Sequence, residues 1–462
     1  MAATGQSVAA ARSAAPKFQS SEIPLQSKER MEMLDSLENN ASYYELSLII
    51  SSQARHLKPY ERTHKTTRAK TWLEDDRRFN RQLFIMLHTI PRELLEAIIL
   101  GTVADYFLKQ RSPSASRHPF SYEGDGPGTY VGALSINGRN GHFTTPAEND
   151  KLVAGLKKYA DAYRRQLYHN GSPRNRFDKE LDKFARDVDS AYGSRPATEP
   201  TVLRFIQNED GLKNVERLIS SFERRRDATA NLPNMRDVPA RQSPLMVGCS
   251  NHLDGRMCNH NPHNPGSLTS TTRLWALTIC LIKLVLNEEP VTTVRPVIRT
   301  WHNDHLGPSE ALVTALASSY VWQDGFNVIG AGFQNGTKLI SDLLRHEEYV
   351  LVKQPYFERN IAATRTEMAQ RKEYIDTVSK VVEFPSLATK QALADARTAL
   401  ADIQAKTKQR TELIAKLQKR DAELKVRHET MLREKDRLQR MVELIQRING
   451  TGHTSELIER RE

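Results

Sequence analysis

The feature that most limits what this chain can become lies near its C-terminal end. From Ala392 to Ile448 almost nothing interrupts a helix, and the first breaker is Asn449-Gly450. Apolar residues return every seventh position. Ala396, Ile403, Leu417, Leu424, Met431, Leu438 and Ile445 share one seam position, with Arg410 the exception. The second seam position holds Leu393, Leu400, Ile414 and Val442, but also Thr407, Asp421, His428 and Lys435. A stripe of this period predicts a coiled coil, because two helices can hide it against each other. The polar seam residues weaken its middle and can set the register of a homodimer. The alternative is a helical hairpin folded back on the rest of the chain. Residues 359–448 are therefore expected to form a helical, coiled-coil region, followed by a tail over 449–462.

The remaining 358 residues are long enough to bury a sizeable core. The net charge of +11 favours a polyanionic partner, nucleic acid before an anionic surface. Only Cys249, Cys258 and Cys280 are present. A disulfide framework is thus not expected, and an intracellular setting, nuclear or cytoplasmic, fits. The longest apolar run, Ala276 to Leu286, is too short for a membrane span and carries Lys283. The first twenty residues are rich in Ala and Ser and lack acids. A disordered tail over 1–30 is the simpler reading, with a mitochondrial leader as the alternative.

Residues 31–110 read as an N-terminal helical region, with Pro91 opening a helix there. Within it, a basic stretch holds Arg55, Lys58, Arg62 and Lys65, with Tyr60 and Trp72 close by. Either a phosphate-tracking surface or a solvated loop accounts for it. After a Ser, Pro and Gly-rich boundary, Tyr130 to Ile136 is strand-like and ends on an Asn137-Gly138 turn. Residues 145–243 read as a helical insertion dense in Lys and Arg, including Arg224, Arg225 and Arg226. Beyond it come a strand from Leu245, a helix to Leu286, a strand over Val291–Trp301 and a helix over Pro308–Tyr320. The fold class expected is α+β: a small mixed domain over 125–144 and 244–355, interrupted by the insertion.

The chemistry concentrates in VGCSNHLDGRMCNH, Val247 to His260. Cys249, His252, Cys258, His260 and His263 are zinc ligands by type, but their spacing matches no familiar finger. A phosphodiester site suits the stretch better. Arg256 and His260 are four residues apart, hence on one face of a helix. A guanidinium there can grip phosphate oxygens, and an imidazole can hold or relay a proton.

These residues resemble the GIY-YIG endonuclease family. Met246-Val247-Gly248 stands where that family has its second triplet, followed by the arginine and histidine at Arg256 and His260. Glu310 is placed like the family's metal-binding glutamate, and Gly325-Phe326-Asn327 like its asparagine turn. The first triplet is best matched by Gly128-Thr129-Tyr130, which requires the two strands to meet across the helical insertion. The resemblance implies metal-dependent cleavage of a nucleic acid. Glu310 would hold one Mg²⁺ or Mn²⁺, Arg256 would stabilise the phosphate, Tyr130 or His260 would move the proton, and Asn327 would orient the site. Met246 replaces the second tyrosine and carries no proton, so cleavage is expected to be weakened or lost. A non-catalytic module binding nucleic acid or protein is the alternative.

Overall fold

A computed structural model describes residues 23–458, apart from 26, 39–42, 57–75, 110–124, 169–175, 194–202, 231, 233, 265–267, 269–271, 333–335 and 384–386. The expectations for residues 1–22, for Lys58, Arg62 and Lys65, and for 459–462 lie outside the described residues. The chain divides into two compact units, residues 1–369 and 370–462.

The first unit is built on three antiparallel strands, β1 (Gly128–Ile136), β2 (Leu245–Ser250) and β3 (Pro290–Arg299), in the order β2-β1-β3. The unit is thus α+β, mostly helical around a small sheet. Every residue of the central strand β1 is buried, so it is apolar on both sides. Alternation sends its residues to two cores. Tyr130, Leu134 and Ile136 enter one, with Met246; Val131 and Ala133 enter the other, with Leu245 and Val247. In β3, the register shifts opposite Thr129 and Tyr130, next to Pro296. A bulge on an edge strand is where a proline, which lacks the ladder N–H, can be accommodated.

The insertion supplies the layer over the Tyr130 face. Helices α6 (Pro146–Tyr168), α7 (Arg176–Ser190) and α8 (Glu209–Ala230) bury Leu156, Tyr159, Val215 and Phe222 with Trp275. Their outer faces are crossed by ion pairs, Lys157 with Glu223 at 2.7 Å and Arg164 with Glu216 at 2.6 Å. The N-terminal helices α1 (Lys28–Glu38), α2 (Tyr43–His56), α3 (Asp76–Leu87), α4 (Arg92–Leu100) and α5 (Val103–Lys109) cover the opposite face. With them packs α11 (Leu306–Ala317), through Leu312 and Leu316. Helix α4 stops at Gly101, whose φ of 75° lets it close the last turn with N–H bonds to preceding carbonyls.

Two further helices frame the site: α9 (Leu253–Cys258), directly after β2, and α10 (Arg273–Leu281), which runs on as a π turn to Leu286. Helix α12 (Ile340–Glu348) leads into α13 (Pro355–Glu383). The start of α13 is pinned by Asn360, which donates to the carbonyls of His88 and Ile90 at 2.9 and 3.1 Å. Among the described residues no helix is long and apolar enough to cross a membrane.

In the second unit, α14 (Leu387–Ile458) is one uninterrupted helix of 72 residues. All residues from 391 to 445 are exposed, including the whole heptad stripe. Residues 371–380 of α13 are exposed as well.

Candidate functional site

Pairing of β1 with β2 sets Tyr130 opposite Gly248. The tyrosine ring lies across β2 above that glycine. A Cβ built on Gly248 would stand 2.6 Å from the Tyr130 Cζ, closer than any real side chain allows. Gly248 therefore leaves the space that the Tyr130 ring occupies. Two residues earlier on the same face, Met246 is buried under Trp275 and accepts a hydrogen bond from Thr272 through its sulfur at 3.2 Å. The position expected to carry a second phenol is thus packing, with no proton to give.

Past β2 the chain turns through Asn251-His252 into α9. Leu253 is fully buried and anchors that turn. The Asp125 carboxylate ties it down, accepting from the Asp254 N–H at 3.0 Å and meeting His252 Nδ1 at 2.9 Å. Helical backbone continues through Asn259, so Arg256 and His260 stay one turn apart. His260, 1% exposed, places Nε2 2.8 Å from the Tyr130 hydroxyl. Burial and the nearby Arg256 charge lower its pKa to about 3, so it is a neutral imidazole. Burial pushes the Tyr130 phenol up to about 12, against the opposing pull of a hydrogen bond and charge from Arg256.

Around the other side of β2, Cys249 faces α11. Its thiol is buried and hydrogen-bonded to Glu310, and both burial and that carboxylate push its pKa well up. Glu310 also accepts the Gly332 N–H at 2.8 Å. Burial raises the Glu310 pKa, while Gly332, Cys249 and Arg256 pull the other way. Although closely surrounded, Glu310 still reaches solvent, as Arg256 does. The Tyr130–His260 pair sits behind them. Arg256 is the element common to all: its charge acts on Tyr130, His260, Cys249 and Glu310.

Asn327 is near the strand but is otherwise occupied. Its side-chain oxygen accepts from the Val247 N–H at 2.9 Å, and its amide donates to the Val247 carbonyl at 2.7 Å. It pairs with the open edge of β2 as a neighbouring strand would, and so positions Gly248 and Cys249.

The arginine cluster needs correction. Arg225 is 2% exposed and donates to the backbone carbonyls of Asp324 and Gln242 at 3.2 and 3.5 Å. It lies on the buried stripe Leu218, Phe222, Arg225, Thr229 of α8, where no phosphate can reach it. Arg224 is paired with Asp324, and Arg226 with Asp150 and Asp227. Arg55 lies in α2. The five potential zinc ligands point apart: His252 meets Asp125, His263 meets Glu289 at 3.2 Å, His260 meets Tyr130, Cys249 is beside Glu310, and Cys258 is exposed. Among the described residues no three acidic, His or Cys side chains converge as a metal cage. The sequence reading missed the partnership of Cys249 with Glu310 and the donor at Gly332. Gly330-Ala-Gly332 after the asparagine turn was the available signal for the latter.

Two titration results are expected. Above pH 6.5 His260 is neutral both folded and unfolded. Between 6.5 and about 3 only the unfolded chain takes the proton, so stability falls as the solution is acidified, by at most about 1.4 kcal/mol per pH unit. His260→Phe should flatten that limb of the stability–pH curve measured by urea melts. Glu310 runs the opposite way. Its raised pKa makes ionisation costlier folded than unfolded, so stability is lost as pH rises above the ordinary carboxylate value. Glu310→Gln, which keeps an acceptor for Gly332, should therefore be more stable than the parent at pH 8 and lose that advantage at pH 4.

Comparison of the chain with protein-family models, curated proteins and solved structures finds no match in any of the three.

Proposed function

We propose that this protein is a metal-dependent nucleic acid phosphodiesterase of the GIY-YIG type, weakened by the loss of its second tyrosine. One observation carries the reading: the Arg256 charge acts both on the hydrogen-bonded pair Tyr130 and His260 and on the pair Cys249 and Glu310. A guanidinium that reaches solvent between a proton-carrying pair and a carboxylate is suited to a phosphate diester.

The donor set fits one hard divalent cation. Mg²⁺ accepts a single carboxylate when phosphate oxygens and waters complete its shell. Glu310 is the residue that would hold it, giving up the Cys249 thiol as partner. When bound, such an ion supplies Lewis-acid polarisation and a more acidic water.

The chain's own groups do the rest. Arg256 donates to nonbridging oxygens and offsets the charge that grows as the phosphorus becomes five-coordinate. Tyr130 and His260 hold one transferable proton between them. In the tautomer with Nε2 unprotonated, the phenol donates to it and leaves its own lone pair for a water proton. A phosphate anion held at Arg256 offsets the charge that depresses His260, which raises its basicity and draws the proton along that path. Asn327 keeps the strand in place without touching the phosphate.

The charge balance of the chain supports a nucleic acid as the diester, and the exposed stripe of α14 supports a second copy of the chain as partner. Met246 favours a second reading, in which the same surface binds nucleic acid without cutting it. The two separate in one assay: plasmid with Mg²⁺ or Mn²⁺, alongside salt-dependent binding. Nicking that survives unchanged in Glu310→Ala and Arg256→Ala refutes the site. Salt-sensitive binding without nicking under either metal selects the second reading.

A further inference from the structure

The heptad stripe of α14 is fully exposed within the chain, at 46% for Leu393, 55% for Leu400, 61% for Leu438 and 53% for Ile445. Aliphatic side chains at that exposure along some 50 residues need a cover, and an isolated helix has none to offer. What covers them is encoded in the polar seam positions.

Pair the stripe with a second copy in parallel and in register, and every residue meets itself. Arg410 then faces Arg410, Asp421 faces Asp421, His428 faces His428 and Lys435 faces Lys435. Three of these layers set like charges against each other inside the seam, where they are least screened. The flanks give no relief. In the parallel arrangement Arg420 falls beside Lys425 of the other strand, and Glu434, the one acid at a flanking position between 397 and 441, falls beside Gln439.

Reversing one strand changes each of these meetings. With Leu393 opposite Ile445 of the second copy, the layers become Ala396 with Val442, Leu400 with Leu438, Ile403 with Lys435, Thr407 with Met431, Arg410 with His428, Ile414 with Leu424, and Leu417 with Asp421. All the seam residues are covered. No charge meets its own sign in a layer while His428 is neutral. Lys435 can run its alkyl stem along Ile403 and bring its head to the edge. On the flank, Lys406 comes beside Glu434 of the other strand, twice by symmetry, against a single meeting of Arg420 with its own copy at the centre. Leu413 and Met441 at flanking positions, 56% and 52% exposed, widen the apolar surface on that same side.

We propose that α14 pairs with a second copy of itself as an antiparallel coiled coil centred near Lys419, with residues 393 and 445 opposite each other. The proposal rests on the reading of the stripe as a dimer surface and adds orientation and register to it; it is independent of the nuclease reading.

The test uses the full chain with the exposed Cys258 replaced by serine. Two variants are made in it, Leu400→Cys and Leu438→Cys. In the antiparallel register these positions face each other across the seam. Two copies of position 400 are then about 57 Å apart, 38 residues at 1.5 Å each. Mild oxidation of the two variants mixed and re-equilibrated should give a disulfide-linked dimer at least about tenfold more abundant than either variant gives alone, since a disulfide needs Cα atoms within ~7 Å. Efficient crosslinking within each variant alone, with no gain on mixing, overturns the orientation while leaving the dimer. A light-scattering mass equal to the monomer for the uncrosslinked chain overturns the dimer itself, and no crosslink would then form in either arm.

Discussion

The proposed metal-dependent nicking of plasmid DNA is expected to fall by about 100- to 1,000-fold in Arg256→Ala, the loss typical when a preorganised donor to a developing anionic oxygen is removed. The protein should remain folded, because Arg256 is only partly buried and the groups it acts on each keep another partner. Tyr130 retains His260, and Glu310 retains Gly332 and Cys249. The same substitution removes the charge that pulls both the Tyr130 phenol and the Glu310 carboxyl downward, so both should titrate higher. Raising the pH would ionise Glu310 again but cannot replace the missing guanidinium donor, so activity lost by Arg256→Ala should not return within the folded range. Arg256→Lys separates charge from shape. A lysine restores the point charge but not the planar fork, so it should recover the titration of Glu310 more than it recovers the rate. Equal rates for parent, alanine and lysine variants would remove Arg256 from the chemistry.

How far the sequence announced this arrangement differs from one element to the next. Strand β2 and the helix after it are legible because Leu245 to Val247 is a short apolar run and Asp254 to His260 carries polar residues at helical spacing. The α+β class follows from the same alternation of short strands and longer helices. The helical nature of α14 is legible because no helix breaker falls between Ala392 and Ile448 and apolar residues return at heptad spacing, while the polar seam residues carry the information on how a second strand can lie. The arginine run at 224–226 misled for a physical reason. Three adjacent cations look like a surface, but consecutive residues on a helix point about 100° apart. One of the three had to fall on the stripe set by Leu218 and Phe222, and it was Arg225. Asn327 is legible from its Gly-Phe-Asn turn. That its amide closes an open strand edge depends on β2 being outermost, a fact of topology and not of local sequence. Cys249 reads as a metal ligand by residue type alone, and it is strand alternation that decides which way it faces. On β2 it must face away from Gly248, and so toward α11 and Glu310.

The strongest effect on the fold is expected at Gly248, where the requirement for glycine is steric and not conformational. Gly248→Ala places a methyl where the Tyr130 ring lies, with Cε1 also only 3.2 Å away. The ring cannot simply swing aside, because its hydroxyl is held by His260 and both side chains are buried. Overpacking of this kind costs about 1–3 kcal/mol, and breaking the Tyr130–His260 hydrogen bond adds about 1 kcal/mol more. Urea denaturation should therefore show Gly248→Ala less stable by about 2–4 kcal/mol. The decisive comparison is a double-mutant cycle with Tyr130→Ala. Tyr130→Ala alone empties a buried site and is itself destabilising. Once the ring is gone, however, the added methyl at 248 meets open space. The second substitution should then cost little, leaving a coupling above about 1 kcal/mol between the two positions. Simple additivity would mean that the glycine answers to some other constraint, and that the tyrosine does not lie across β2. That single contact sets where the phenol points, and with it the distance from Tyr130 to His260 and to Arg256.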